Sequence, residues 1–296
     1  MHFGTWDILF NLVLLVFWLK IWMAGKRDTF FNPFLAPLDH GSDHVTSFLR
    51  PCFFGASATL IAAVLFVGLL LFRGVVLPRD AAWDLTLGVQ RLAHPERVAS
   101  TLAFSLVSFG IVLFKIWGAS ILLVRGRRQA MSDHTTSTFY YLARPFSDIR
   151  AEFRPLALLA WGVLLVSVMD RTGVVPIVIP PSSDALTATL DWHMQTNPLL
   201  PAKLCLLTVA GWFQILPLLR SFMLALIIGS WVSMFSTAPG LQYFCREWID
   251  LLLGPFRRYP VRIGMIDLTP IIYFFALDWI CRLVMPLLQA ACNALS

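Results

Sequence analysis

Charge is what this sequence has least of. Of its 296 residues 14% are charged and 58% hydrophobic, where a soluble domain carries about 25% charged and 45–50% apolar residues. So few charges could not cover a packed water-soluble globule of this length, and a chain this apolar does not stay solvated as a disordered one. Cysteine is sparse as well. Cys52, Cys205, Cys245, Cys281 and Cys292 form no CxxC pair, which argues against a disulfide framework or a zinc site. None of the six histidines falls in a long apolar run, so an intramembrane bis-histidine haem is not implied. P-loop, GxSxG and HExxH motifs are missing, and with them the common sequence signs of an enzyme. The expectation is a non-enzymatic protein with no cofactor, no metal and no catalytic residues.

What the chain does have is long apolar runs, with a mean hydropathy of +0.73. Eleven Trp and 24 Phe suit a surface that meets lipid and its headgroups. A hydrocarbon core of about 30 Å needs about 20 apolar residues per helix, and six runs fit: 6–23, 53–77, 102–124, 153–169, 204–235 and 268–288. The predicted fold class is therefore an all-α polytopic membrane protein with six transmembrane helices. The fifth run is long enough to predict one helix kinked at Pro217, where a backbone donor is missing. Met1–Thr5 lack the basic start of a secretory signal, so the first run is expected to remain as a span.

The formal charge is +6, and its distribution sets a topology. The first, third and fifth loops, with Arg154 at the edge of the third counted in, hold 13 Lys and Arg, and the second and fourth hold 5. The positive-inside rule then puts the odd loops in the cytoplasm and both chain ends outside, as in a bacterial inner membrane. Such basic loops meet anionic lipid. Nucleic acid is not an expected partner, since no soluble basic domain exists to hold it.

A unit recurs along the chain. Phe17-Trp18-Leu19-Lys20-Ile21-Trp22 is echoed by Val112-Leu113-Phe114-Lys115-Ile116-Trp117. Each is followed at some distance by an Arg-Pro element, Arg50-Pro51 and then Arg144-Pro145-Phe146. In the third copy Gly254-Pro255-Phe256-Arg257-Arg258 takes that place. The organisation predicted is three two-helix repeats, at 1–80, 81–180 and 181–296, each with a cytoplasmic-side amphipathic interfacial helix between its spans. In the third copy Leu241, Phe244, Cys245, Trp248, Leu251 and Leu252 share one helical face, with Gln242, Arg246, Glu247 and Asp250 opposite. That face either dips into the membrane surface or packs against neighbouring spans.

The third copy continues Tyr259-Pro260, then Gly264-Met265-Ile266-Asp267-Leu268-Thr269-Pro270. Here the sequence resembles the YggT family of small bacterial and plastid membrane proteins. The family's hallmark is an Arg-Pro-hydrophobic-Arg-Arg stretch, a Pro, and Gly-x-hydrophobic-Asp-x-Ser-Pro before a span. Phe30-Phe31-Asn32-Pro33-Phe34 looks like the family's first loop. Familiar members have two repeats, so the middle unit looks like an extra copy. The pattern departs at Gly254, where Arg is expected, and at Thr269, where Ser is usual. The resemblance implies Pro255, Arg257, Arg258, Gly264, Asp267, Thr269 and Pro270 as signature positions for a protein partner or lipid headgroups. It also implies a role in assembling membrane complexes, in cell division and plastid nucleoid organisation, or in osmotic-stress tolerance.

Read from the residues alone, that signature starts a helix. Thr269 is predicted to cap the sixth span and Pro270 to occupy its first position, with Asp267 near the positive end of the helix dipole. Within the spans Asp7, Lys20, Arg73, Lys115, Arg220, Asp278 and Arg282 are ionisable, and intramembrane charge marks candidate function. Lys20, Lys115 and Arg73 lie near span ends and are expected to snorkel. Asp278 and Arg282 are four apart. Arg220 lies deepest and is expected to pair with Asp278 or Asp7, forming with Arg282 an intramembrane charge network. Asp39-His40-Gly41-Ser42-Asp43-His44 reads as a solvated loop at a helix start rather than a metal site. Two functions remain: a scaffold or assembly factor that binds a membrane-protein partner or a second copy, and a channel or transporter for small solutes.

Overall fold

A computed structural model describes residues 4–23, 31–76, 83–85, 88–92, 98–123, 134–172, 174–177, 200–213, 215–235, 239–254, 256, 260–263 and 266–294. Among the described residues ten α-helices carry the fold: α1 (Gly4–Met23), α2 (Ala36–Leu49), α3 (Ala58–Val76), α4 (Val98–Leu123), α5 (His134–Leu142), α6 (Arg154–Thr172), α7 (Leu200–Phe213), α8 (Ile215–Phe235), α9 (Pro239–Leu253) and α10 (Thr269–Ala294). Among the described residues three windows are long and apolar enough to cross a membrane: Ala58–Val75, Thr101–Leu123 and Ala151–Val168. Leu9–Met23, Leu204–Phe213 and Leu219–Ser233 are shorter apolar stretches.

Apolar side chains point outward and polar ones inward. On α3, Leu60, Val64, Val67, Leu71 and Val75 are all exposed, at the spacing of a single helical face. Asn11, Arg73, Ser105, Ser108, Lys115 and Ser120 are buried. Water-soluble packing would reverse this order. The outward stripes fit helices whose outer face meets lipid, and the protein is a membrane protein.

The helices pack as neighbours in sequence: α1 on α3, α3 on α4, α4 on α6, α6 on α7, and α10 on both α7 and α8. Small residues bring some of these axes close. A Cβ at Gly162 of α6 would stand 2.2 Å from the Thr208 methyl of α7 and 2.9 Å from the Phe114 ring of α4. Close approach over glycine is how helices pack where burial from water offers no driving force. One buried cluster joins Leu14, Phe109, Leu113, Phe114 and Trp117 to Phe146, Leu158 and Leu165. A second joins Ile215, Met223 and Leu226 of α8 to Cys245 and Leu252 of α9 and Leu277 of α10.

Several expectations change here. Within the apolar run 204–235 the described residues form α7 and α8, and Gln214 between them lies outside the described residues. Pro217, where the sequence predicts a kink, is the third residue of α8, and the junction that would decide for one kinked helix lies at Gln214, outside the described residues. The segment 39–44 lies inside α2; Gly41 is tolerated there at a modest propensity cost. Two short ribbons accompany the helices. One pairs β1 (Trp83–Leu85) with β2 (Gly88–Leu92), and β2 with β3 (Val174–Ile177), all antiparallel. The other pairs β4 (Arg262–Ile263) with β5 (Ile266–Asp267). The first ties together the second and fourth loops, a connection between distant segments that no local pattern announces.

Candidate functional site

The signature segment is built around the start of α10. The backbone N–H of Thr269 donates to Asp267 Oδ1 at 2.9 Å, and the Val261 N–H donates to Thr269 Oγ1 at 2.9 Å. The Leu268 N–H closes on the Val261 carbonyl, also at 2.9 Å. The capping side chain is therefore Asp267 and not Thr269, as expected from the sequence. The Asp267 carboxylate satisfies a helix-start N–H that has no intrahelical partner, while the Thr269 hydroxyl pins the segment before β4. Pro270 follows Thr269, the first residue of α10, where no N–H is needed. Asp267 is exposed and Thr269 buried. Pro255, Arg257, Arg258 and Gly264 lie outside the described residues. Gly254 has φ +47° and directly follows α9. That left-handed conformation favours glycine after a helix, a local reason for the departure from Arg at this position.

The charges within the apolar helices resolve into two groups. Arg220 of α8 donates from Nη1 to Asp278 Oδ1 of α10, and Arg282 Nε donates to Asp278 Oδ2 at 2.8 Å. The Arg220 guanidinium also stands 5.9 Å from the Phe274 ring centroid. Asp278 and Arg220 are mostly covered, at 19% and 25% side-chain exposure, while Arg282 is 61% exposed. One carboxylate thus serves two guanidinium groups and the cluster carries a surplus positive charge. Its exposed side runs along α10 between Phe275, Trp279, Leu283 and Leu287, all exposed. The side chain of Asp7 lies outside the described residues.

The second group is buried. Arg73 is 1% exposed and donates to Asn11 Oδ1 at 2.9 Å and to Ser108 Oγ at 2.6 Å, joining α3, α1 and α4. It does not snorkel; three helices enclose it. Lys115 of α4 is buried as well. Lys20 instead meets α2, with Nζ 2.5 Å from Asp39 Oδ1 and 2.6 Å from Asp43 Oδ1. Asn11 and Ser108 gave no sequence signal beyond being polar in apolar helices, which was the available clue.

Facing these ends of the helices is a belt of aromatic and polar contacts. Trp248 of α9 lies 6.3 Å from Phe34, 6.5 Å from Phe139 of α5, 5.6 Å from Phe222 of α8 and 5.9 Å from Phe244. The apolar face of α9 therefore packs against neighbouring elements, the second of its two alternatives. Burial pushes the Cys245 thiol on that face up from its ordinary value. Asn32 fastens the first loop to α5: its Oδ1 accepts from Phe34 N, Leu35 N and Thr138 Oγ1, and its Nδ2 donates to the His134 carbonyl. Beside it Arg144 is buried, 3.2 Å from Asp148 Oδ2, and Tyr140 donates to Asp148 Oδ1 at 2.5 Å. Burial and the Asp148 carboxylate hold the Tyr140 phenol above its usual range. Phe146, from the same Arg-Pro-Phe element, stacks on Trp117 at 5.3 Å. No group of three His, Cys, Asp or Glu able to hold a metal occurs among the described residues.

A family model described as CCB3/YggT matches residues 209–288. The matched segment contains α8, α9, the β4–β5 ribbon, the capped start of α10 and the whole Arg220–Asp278–Arg282 cluster. No curated protein and no solved structure matches the chain.

Proposed function

With residues 209–288 a CCB3/YggT family domain, we propose that this membrane protein is a non-enzymatic scaffold or assembly factor. It spans the bacterial cytoplasmic membrane six times, as three two-helix repeats with both chain ends outside. It binds a membrane-protein partner or a second copy, and holds anionic lipid at its cytoplasmic face. The order of elements supports the repeats: an apolar helix, a surface helix, an Arg-Pro turn and a second apolar helix occur at α1–α3 and again at α4–α6. The third passage, through α8, α9 and α10, has Gly254-Pro255 at the turn.

The observation that carries the scaffold reading is where the polar groups inside the bundle point. Arg73 is bonded to Asn11 and Ser108 across three helices. Ser105 donates to the Leu70 carbonyl at 2.8 Å. These groups are turned on one another, which fastens helices, whereas a solute path leaves polar groups free toward water. The cluster at Asp278 instead presents charge on an outward face, where a protein neighbour can meet it.

The test is purification from native membranes in mild detergent, with mass spectrometry of what comes along. A stoichiometric membrane partner, lost when Arg257 and Arg258 are both replaced by Ala, is the expected result. A second reading, transport of ions or small solutes under osmotic stress, draws on the charged Arg220–Asp278 pair. It predicts flux in proteoliposomes that disappears on Arg220→Ala or Asp278→Asn; such flux, with no partner, would replace the scaffold reading. Topology is checked at Cys52, an exposed thiol beside Arg50, which should react with impermeant maleimide only from the cytoplasmic side.

A further inference from the structure

Between α2 and the start of α3 lies a cleft of about 330 Å³, lined by His40, Asp43, His44 and Arg50 with Ala58 and Ile61 beneath. Its charges are arranged unevenly. Lys20 holds both Asp39 and Asp43, so that triad carries one surplus negative charge, and the Asp43 side chain is 52% exposed. Seven residues on, two helical turns or roughly 10 Å along the axis, Arg50 is exposed. Among the described residues its guanidinium meets no carboxylate. The equivalent arginine of the second unit, Arg144, is buried on Asp148, so the first Arg-Pro element has left its cation unused by the fold.

The hydroxyls nearby are already committed. Thr46 donates to the Asp43 carbonyl and Ser47 to the His44 carbonyl, which leaves Arg50 and the imidazoles of His40 and His44 as donors into the cleft. Phe48 and Phe54, on either side of Arg50 in the sequence, are almost fully exposed, at 81% and 102%, apolar surface that a lipid layer would cover. A free guanidinium at one end, suited to a forked contact with phosphate oxygens, and a surplus carboxylate at the other match a zwitterion bearing phosphate and a primary ammonium.

We propose that this cleft binds the headgroup of an ethanolamine-type phospholipid, with Arg50 on the phosphate, Asp43 on the ammonium and the imidazoles of His40 and His44 as further phosphate donors. The inference deepens the lipid-binding part of the proposed function and rests on α2 lying along the membrane surface.

Native mass spectrometry of the purified, delipidated protein tests it, by titration with short-chain phosphatidylethanolamine, phosphatidylcholine and phosphatidylglycerol, and with inorganic phosphate. Phosphatidylethanolamine should bind several-fold more tightly than the other two, because choline has no N–H to give Asp43 and glycerol no charge. Arg50→Ala should weaken it about ten-fold, the loss of a charge-assisted phosphate contact. Arg246→Ala removes an exposed cation from α9 and should change nothing. Asp43→Asn should bring phosphatidylethanolamine down to the phosphatidylcholine level. If that variant folds poorly, the headgroup comparison on the native chain gives the same answer. Unchanged binding in Arg50→Ala overturns the site. Preference for phosphatidylglycerol overturns the ammonium half, and displacement of lipid by equimolar inorganic phosphate would mark a site for free phosphate instead. A native chain with no headgroup preference sinks this inference while leaving the scaffold reading intact, and loss of the protein partner does the reverse.

Discussion

Removing Asp278 should damage the protein more than removing either arginine it serves. In the native chain Asp278 accepts from Arg220 and from Arg282. Asp278 lies nine residues and Arg282 thirteen residues into α10, or roughly 13 and 20 Å along a helix rising ~1.5 Å per residue. On the proposed six-span topology, a hydrocarbon core of about 30 Å leaves neither near an end. Asp278→Asn leaves two guanidinium groups facing each other without a counter-charge, and breaking a desolvated pair from one side costs about 3–5 kcal/mol. Arg220→Ala leaves Asp278 with Arg282 on the same helix, a neutral local pair, so its cost falls to that of one charged hydrogen bond, about 1.5–3 kcal/mol. Arg282→Ala removes the most exposed member and should cost less again. Equilibrium unfolding in mixed dodecylmaltoside and dodecyl sulfate micelles measures all three. Asp278→Asn combined with Arg220→Ala should cost less than the sum of the two, since each removes part of the same interaction. Equal costs for the three single variants, or strict additivity in the double, would refute the reading of Asp278 as the shared counter-charge.

Two other changes follow from the packing and the belt. Gly162→Ala should lower stability by about 1–3 kcal/mol, because its new Cβ meets the Thr208 methyl and the Phe114 ring; a melting curve in detergent reads this, and an unchanged midpoint would show that α6 and α7 can separate freely. Tyr140 gives a pH dependence. With its phenol held above the ordinary value by burial and Asp148, the stabilisation is complete below about pH 10, the ordinary phenol value. It is lost as pH rises further, since the unfolded chain then gives up the proton first. Native protein should lose melting temperature more steeply between pH 9 and 11 than Tyr140→Phe does.

The membrane character and most helix positions are legible because lipid demands a continuous apolar run, a pattern carried by every residue of the segment. The pairing of β2 with β3 is less so: it joins 88–92 to 174–177, segments far apart in the chain with no local pattern to announce the contact. The pairing of Arg220 with Asp278 could be posed from the sequence because both are rare charges in apolar surroundings. The enclosure of Arg73 could not, because it depends on which helices are neighbours and on the neutral partners Asn11 and Ser108. Likewise a Thr-Pro start suggests a threonine cap, but an aspartate two residues earlier takes the N–H of Thr269 itself, and the threonine hydroxyl accepts from Val261 N instead. Competing local partners of that kind are decided by the chain's path before the helix, which here is set by the β4–β5 ribbon.

The Arg-Pro element, present at Arg50-Pro51 and at Arg144-Pro145, shows how one motif can serve two ends, and the difference is measurable. Arg144 is 7% exposed, stands 5.7 and 5.3 Å from the ring centroids of Tyr140 and Tyr141, and pairs with Asp148. Its carbonyl accepts from Trp18 Nε1 at 3.1 Å, so the residue joins α1 to the turn before α6. Arg144→Ala leaves Asp148 with Tyr140 alone and empties a buried site, a cost of about 2–4 kcal/mol by analogy with other broken buried pairs and large-to-small core changes. Arg50 is exposed and bears no such burden; Arg50→Ala should stay within about 0.5 kcal/mol, as surface substitutions do. The same unfolding assay separates them. Comparable losses in both variants would mean that the first element is also part of the structural frame, and that Arg50 has a partner in the fold rather than in the membrane.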